Sequence, residues 1–431
     1  MLAIVGFIMI VVMIILLTKF KMLPVTVFVT LPIIFSLILG KGFMQTMEFA
    51  ASGIGKVLPI AALFIGSITY FGIMGDAGLF DGLIKWLTGK IKNNLASVLL
   101  ITALISLVTH LDGSGTTTLL ITIPAMLPVI DALKIRRVTL WFTVTSVVAV
   151  MNILPWAGPM GRIGTVVGQD PVTLWKSVIP LQILGLVLVA ANCVLIARQE
   201  TKRGYFDASG TASVNLREFT EEEKSHKRPK LIWFNLLLTV GVLVLLFLGV
   251  PSYLPFVLGA GLALIVNYGK GGSKAQTARI KAQAANILPM IFTIIGAGIF
   301  MGILGGTGMV KAMAEVIISA IPNAFGRIIH IVMGIISIPL GIVFDTDTKI
   351  FGILPVLIEI GSHFGVDPVK AGLTMSLAHN YGVGLCMTSA TVYFGMGLCG
   401  IEYGEGLKYG FIRLFAIGTI VILAGALVGI L

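Results

Sequence analysis

The sequence predicts an all-α polytopic membrane protein folded as an inverted repeat, with two re-entrant hairpins and two broken helices. Three observations carry that expectation. Of 431 residues, 57% are hydrophobic and 11% charged, with a mean hydropathy of +1.03, and no soluble domain has enough interior to hide so much apolar surface. The apolar runs number roughly ten to twelve and have the length of helical spans, not of short alternating barrel strands. Next, GKVLPIAALFIGSITYFGIMGDAGLF (55–80) and ANILPMIFTIIGAGIFMGILGGTGMV (285–310) align without a gap at an offset of 230, which marks an internal duplication. Lastly, charged and helix-breaking residues interrupt apolar stretches at 110–118, 151–162, 344–349 and 379–393, at depths where an ordinary span has none.

Taken in order, the N-terminal run MLAIVGFIMIVVMIILL lacks a basic leading region and a small-residue cleavage pattern, so it is expected to remain as a first helix. Lys19 and Lys21 mark a cytoplasmic loop, and Lys85, Lys90 and Lys92 return to that side after the third span. The stretch of about 95–133 is polar in its middle and ends at Lys134, Arg136 and Arg137. Both of its ends favour the cytoplasm, so it is expected to dip into the membrane and return as a hairpin. A broken helix, about 138–168, follows. Residues 198–230 form a long hydrophilic stretch, expected as a cytoplasmic linker between a first repeat, 1–197, and a second, 231–431. The second copy then enters from the opposite side, with a hairpin at about 327–364 and a broken helix at about 368–400. AMLPVI (125–130) answers GILPVL (352–357), and Asn152 answers Asn380. The two hairpin tips are expected to meet near the midplane.

The net charge of +11 does not indicate a nucleic-acid partner, because the basic residues fall in short inter-helix loops, as the positive-inside rule requires. Cys193, Cys386 and Cys399 have no metal-binding spacing and suggest neither a zinc site nor a disulfide framework. At the first tip, Gly113 and Gly115 permit a tight turn, Asp112 supplies a carboxylate, and Ser114, Thr116 and Thr117 supply hydroxyls. Such a turn holds a cation by its oxygens or an anion at a helix N-terminus. In the first broken helix, Pro155, Gly158 and Pro159 free backbone groups beside Asn152, and Arg162 is costly at membrane depth unless it faces an anion or pairs with an aspartate. The second tip offers Asp345, Thr346, Asp347 and Thr348 for a cation or proton. Lys349 either neutralises Asp345 or has another role. Asn380, Gly382, Gly384, Thr388, Ser389 and Thr391 mirror the first break. Of the histidines, His110 and His379 lie near tips as proton-relay candidates.

LDGSGTTTLLITIPAMLP, MNILPWAGPMGRIG, the Asp-x-x-x-Phe-Gly-Ile-Leu-Pro-Val run from Asp347, and GLCGIEYG near the end resemble the citrate-metal-proton symporter family of the larger ion transporter superfamily. The resemblance covers most of the chain and is densest at 107–171 and 339–405. It implies transport of citrate complexed with a divalent metal such as Mg or Ca, driven by protons. It also implies scaffold and transport domains moving as an elevator, and a homodimer in the cell (inner) membrane. Position by position, Asp112, Gly113, Gly115, Thr116 and Thr117 match the first hairpin motif, Asn152, Pro155, Trp156, Gly158, Pro159 and Arg162 the first break, and Asp347 the acidic position of the second tip. Asp345-Thr346 stands where relatives tend to have Ser-Asn, Lys349 replaces a neutral residue, and CMTSAT stands where a Ser-Pro element is usual.

The assigned candidates are accordingly Ser114, Thr116, Thr117, Asn152, Gly158, Arg162, Asn380, Thr388, Ser389 and Thr391 for the polycarboxylate. Asp112, Gly113, Asn152, Asp345, Asp347 and Asn380 are assigned to the coupling proton or sodium ion, and Asp112 and Asp347 also to the substrate-bound metal. No permanently bound cofactor is expected. A cation/proton antiporter, or a cation-coupled carrier of another di- or tricarboxylate, is the alternative. An intramembrane enzyme is disfavoured, since HExxH and a convincing catalytic pair are both absent from the sequence.

Overall fold

In hydrocarbon every backbone N–H and C=O needs an internal partner, so long apolar runs fold as helices. The computed structural model describes residues 1–207 and 220–431; part of the expected linker, 208–219, lies outside the described residues. Every regular element described is helical. The first half comprises α1 (Leu2–Thr18), α2 (Pro24–Ile38), α3 (Phe43–Ala77), α4 (Asp81–Thr88), α5 (Leu95–Thr109), α6 (Gly115–Ala132), α7 (Arg137–Met151), α8 (Gly158–Val167) and α9 (Pro171–Lys202). After the short α10 (Glu221–His226) come α11 (Ile232–Phe247), α12 (Tyr253–Tyr268), α13 (Gly272–Thr307), α14 (Met309–Ile318), α15 (Asn323–Gly326), α16 (Ile329–Leu340), α17 (Leu354–His363), α18 (Pro368–Val383), α19 (Ala390–Cys399) and α20 (Tyr403–Leu427). Seven helical stretches among the described residues are long and apolar enough to cross a membrane, and five apolar helices of 10–17 residues accompany them. Trp233, Leu237, Ile265 and Ile412 are each more than 60% exposed, the placement of side chains that face lipid. This is a multi-pass membrane protein.

The duplicated segment forms the two longest helices, α3 and α13, which lie against each other. Each carries an internal proline, Pro59 or Pro289, and each ends on a left-handed glycine, Gly78 (φ +88°) or Gly308 (φ +78°), a backbone conformation closed to most side chains. Their contact is self-complementary. Gly53 meets Gly302 and Gly72 meets Gln283; Phe49 covers Gly306 while Arg279 pairs with Asp76 at 3.1 Å. At the offset of 230 each first pair becomes the second, as in an isologous interface. The flanks repeat it: Gly66 is covered by Phe256 and Val257 of α12, Gly296 by Val25 and Phe28 of α2.

Around this pair the other elements recur in the same order: a helical hairpin (α5–α6; α16–α17), an interrupted helix (α7–α8; α18–α19) and a long closing helix (α9; α20). Their caps fall at a constant offset of 232, matching Asn152 with Gly384, Ala157 with Ser389, Gly168 with Gly400 and Asp170 with Glu402. The expected match of Asn152 with Asn380 is therefore corrected. Helix α18 continues to Val383 before it breaks, so Asn380 is still inside a helix where Asn152 already ends one.

The boundary near 197 shifts as well. Helix α9 runs on to Lys202 because Glu200, fully buried in its last turn, takes the Arg136 guanidinium by two hydrogen bonds of 2.7 and 2.5 Å. A charge buried there is tolerated only with a partner of this bidentate kind. At the far end of the linker, Arg228 N–H donates to the Ala77 carbonyl, and Lys227 pairs with Asp81 at 2.7 Å. The hydrophilic stretch is thus tied at one end to the loop between α6 and α7 and at the other to the end of α3.

Candidate functional site

Tip and break of the first half are built as one unit. After α5 the chain turns through His110–Asp112, and Gly113 takes φ +76°. Asp112 Oδ1 accepts the Ser114 N–H at 2.8 Å, and Ser114 caps α6 by accepting the Thr117 N–H at 3.2 Å. The break docks on this turn: Trp156 Nε1–H donates to the Leu111 carbonyl at 2.8 Å, and its ring lies 5.4 Å from Phe71 and 5.3 Å from Phe256. Fully buried His110 bridges Asn152 Oδ1 (3.2 Å) and Thr118 Oγ1 (2.8 Å), so it orients Asn152. A β-carbon on Gly113 would stand 3.0 Å from the Trp156 carbonyl oxygen and 3.1 Å from its ring. Gly113→Ala is therefore expected to lose about 1–3 kcal/mol through backbone strain and this clash, read as a lowered unfolding temperature in detergent.

A cavity of about 360 Å³ opens in front of this unit, within the roughly 300–1,000 Å³ usual for small-molecule sites. Asp112, Gly113, Ser114, Thr117, Asn152, Gly158, Ser389 and Thr391 line it, so the structure brings together these eight sequence-assigned residues from both halves. Three helix N-termini border it: α6 at Ser114–Thr117, α8 at Gly158–Pro159 and α19 at Ser389–Thr391. Their positive dipole ends favour anionic oxygens. The only ionisable acid or base among the lining residues is Asp112.

The remaining assigned residues stand elsewhere. Thr116 lies beside the cavity, its hydroxyl 3.5 Å from that of Thr391. Arg162 stands behind the cavity wall, its Nη1 2.8 Å from where a β-carbon on Gly158 would be, and its Nε–H donates to Asp347 Oδ1 at 2.6 Å, with both side chains largely buried. Two opposite charges this far from water pair with each other before either is free for a ligand. Asp345 Oδ1 accepts the Thr348 N–H at 2.9 Å. Lys349 does not ion-pair with Asp345 among the described residues: it is fully buried, with its ammonium 3.4 Å from the Ser337 carbonyl. Asn380 is fully buried with neither amide atom partnered, and Thr388 meets the Cys386 thiol at 3.1 Å. His379 Nε2 lies 3.0 Å from Thr346 Oγ1.

Thr346 of the second tip and Gly384 of the second break also line the cavity, whereas sequence reasoning missed Thr145 and, above all, Gln283 and Asn286 of α13, which line it from the long-helix pair. The last two carried a signal: they are polar residues just ahead of Pro289 in an apolar repeat.

Helical hairpins and interrupted helices from two matching halves, meeting around a polar cavity in a multi-pass membrane protein, define a transporter. The family model described as "Citrate transporter" (CitMHS) matches residues 2–378, and the chain belongs to this citrate transporter family. It is 34% identical to a "Citrate transporter" of Bacillus subtilis (strain 168) over 438 residues, covering 100% of both chains. It is also 34% identical to that organism's "Mg(2+)/citrate complex secondary transporter" over 436 residues, 99% of each. Among solved structures, the Alcanivorax borkumensis YdaH transporter, whose topology is described as unusual, matches with TM-score 0.57 at 13% identity over 86% of each chain, a likeness of fold. The relatives are transporters, not enzymes.

Proposed function

We propose that this chain is a secondary transporter that takes up citrate as a divalent-metal complex, coupled to protons, by alternating access. The observation that carries the substrate is the charge of the cavity: among the described residues that line it there are one carboxylate, three helix N-termini and no cationic side chain, and the guanidinium of Arg162 behind Gly158 is already paired with Asp347. Free citrate carries three negative charges near neutral pH and would enter without a counter-charge beside Asp112. A metal–citrate complex brings its own. Asp112 then contacts the metal, a hard cation that takes oxygen ligands, while the carboxylates lie at the N-termini with Ser114, Thr117, Asn152, Ser389 and Thr391. The name of the Mg(2+)/citrate relative supports this reading.

In the same proposal, the halves before and after the linker, the first closing with α9 and the second beginning at 231, are inverted repeats whose hairpins are re-entrant, and α3 and α13 belong to a scaffold past which the hairpins move. The protein is a homodimer in the cell membrane with the 198–230 linker cytoplasmic, which the basic residues flanking the linker support. Proton coupling rests on the family resemblance.

The test is uptake of labelled citrate into liposomes holding the purified protein, under an imposed pH gradient. Chelating divalent metal is expected to stop uptake and restoring Mg²⁺ to recover it. Citrate uptake indifferent to metal would overturn the substrate, a sodium gradient replacing the pH gradient would reassign the coupling ion, and sodium–proton exchange with no citrate uptake would make the protein an antiporter.

A further inference from the structure

The contact between α3 and α13 also specifies what the site meets in its other conformation. In the state described, the cavity rests on Ile68 and Gly72 of α3 and on Gln283, Asn286 and Met290 of α13. This is the end of the helix pair closed by Asp76 and Arg279, beside the linker contact at Ala77. Exchanging the two halves at the offset of 230 converts these five positions to Gly298, Gly302, Gly53, Lys56 and Ile60. The exchange is licensed by contacts, not by sequence similarity alone, because Gly53–Gly302 and Gly72–Gln283 are already partners in the same two-fold relation. On α3 the resting level moves from Ile68–Gly72 to Lys56–Ile60, about 12 residues, or roughly 18 Å at 1.5 Å per residue.

We infer that Lys56 is the scaffold side chain facing the substrate in the opposite-facing state, taking there the place that Asn286 holds here. Three features of Lys56 agree. It is an exposed residue in the interior of a 35-residue helix whose other charges, Glu48 and Asp76, lie nearer its ends. It makes no ion pair or side-chain hydrogen bond among the described residues. A lone cation within an apolar helix is costly unless a water-filled pathway or a ligand receives it. The chemistry follows: a complex of one divalent metal with tricarboxylate citrate retains a negative charge, which an ammonium attracts and the Asn286 amide does not. Binding is therefore asymmetric, tighter on the face away from the linker. The inference rests on the alternating-access reading above.

The experiment compares KM for magnesium–citrate from the two faces, using reconstituted protein in right-side-out and inside-out vesicles. Lys56→Gln is expected to shift the ratio of the two KM values by about fivefold, as loss of one exposed charge contact does, by weakening the face away from the linker. Asn286→Ala is expected to shift the ratio the other way. As a second readout, Lys56→Cys should react with a membrane-impermeant maleimide from that face, with magnesium–citrate slowing the reaction; the three native cysteines are buried. A KM ratio in Lys56→Gln equal to wild type, or labelling at position 56 indifferent to magnesium–citrate, overturns the inference. Wild-type protein that moves magnesium–citrate from neither face overturns the transport reading instead.

Discussion

Asp112→Asn is expected to reduce citrate uptake by more than about 100-fold, beyond what loss of a supporting contact around a metal costs, while leaving the protein folded. The two halves of that expectation have separate causes. Asp112 is the only acid or base among the described residues that line the cavity, so under the proposed metal–citrate reading its removal takes away the one lining charge that could meet the metal. The turn survives because its bond is made by Oδ1 accepting the Ser114 N–H, and an asparagine carbonyl accepts the same bond. Uptake of labelled citrate with Mg²⁺, measured beside the unfolding temperature in detergent, checks both. Wild-type uptake in Asp112→Asn would remove the carboxylate from the metal's path, and a collapse of stability would make it a structural residue.

Arg162 and Asp347 give the second large effect, with the opposite signature. Removing either charge alone leaves its partner buried and unpaired, which is expected to cost about 3–5 kcal/mol. The pair joins α8 to the second hairpin across 185 residues of sequence, so the loss should appear as a lowered unfolding temperature in Arg162→Gln and in Asp347→Asn. Combining the two substitutions is expected to recover most of the loss, because no isolated charge then remains. Were Arg162 the citrate anchor that its sequence position suggested, Arg162→Gln would raise KM at nearly unchanged stability, and Asp347→Asn would not rescue it. The measurement is a double-mutant cycle on unfolding temperature, with KM for magnesium–citrate followed in parallel.

These two cases show how far the site was legible in the chain. Asp112, Gly113, Ser114 and Thr117 were readable because a carboxylate, glycines and hydroxyls inside an apolar stretch have few structural uses. Asn152 and Gly158 followed from the prolines and glycines around them, which force a helix to break. Arg162 and Asp347 were each recognised as costly, but nothing local says that they meet. Asn380 was misplaced since its helix runs three residues further, to Val383, and a residue at a break differs from one inside a helix only by where the last hydrogen-bonded turn falls. Gln283 and Asn286 were passed over because their own segment has no break; they face the cavity only because α13 crosses α3 next to the first tip.

The sequence by itself determined the membrane class, the duplicated segment, the first break and the acid at the first tip. Each of these is fixed by local composition: apolar length, glycine and proline at membrane depth, and a charge where lipid allows none. Tertiary structure alone decided which charges cancel, which polar groups share the cavity, and which residues of the long helices stand opposite them. Those outcomes depend on distances between segments more than a hundred residues apart, and in a low-dielectric interior a few ångströms decide whether a charge is a partner for its neighbour or for a substrate.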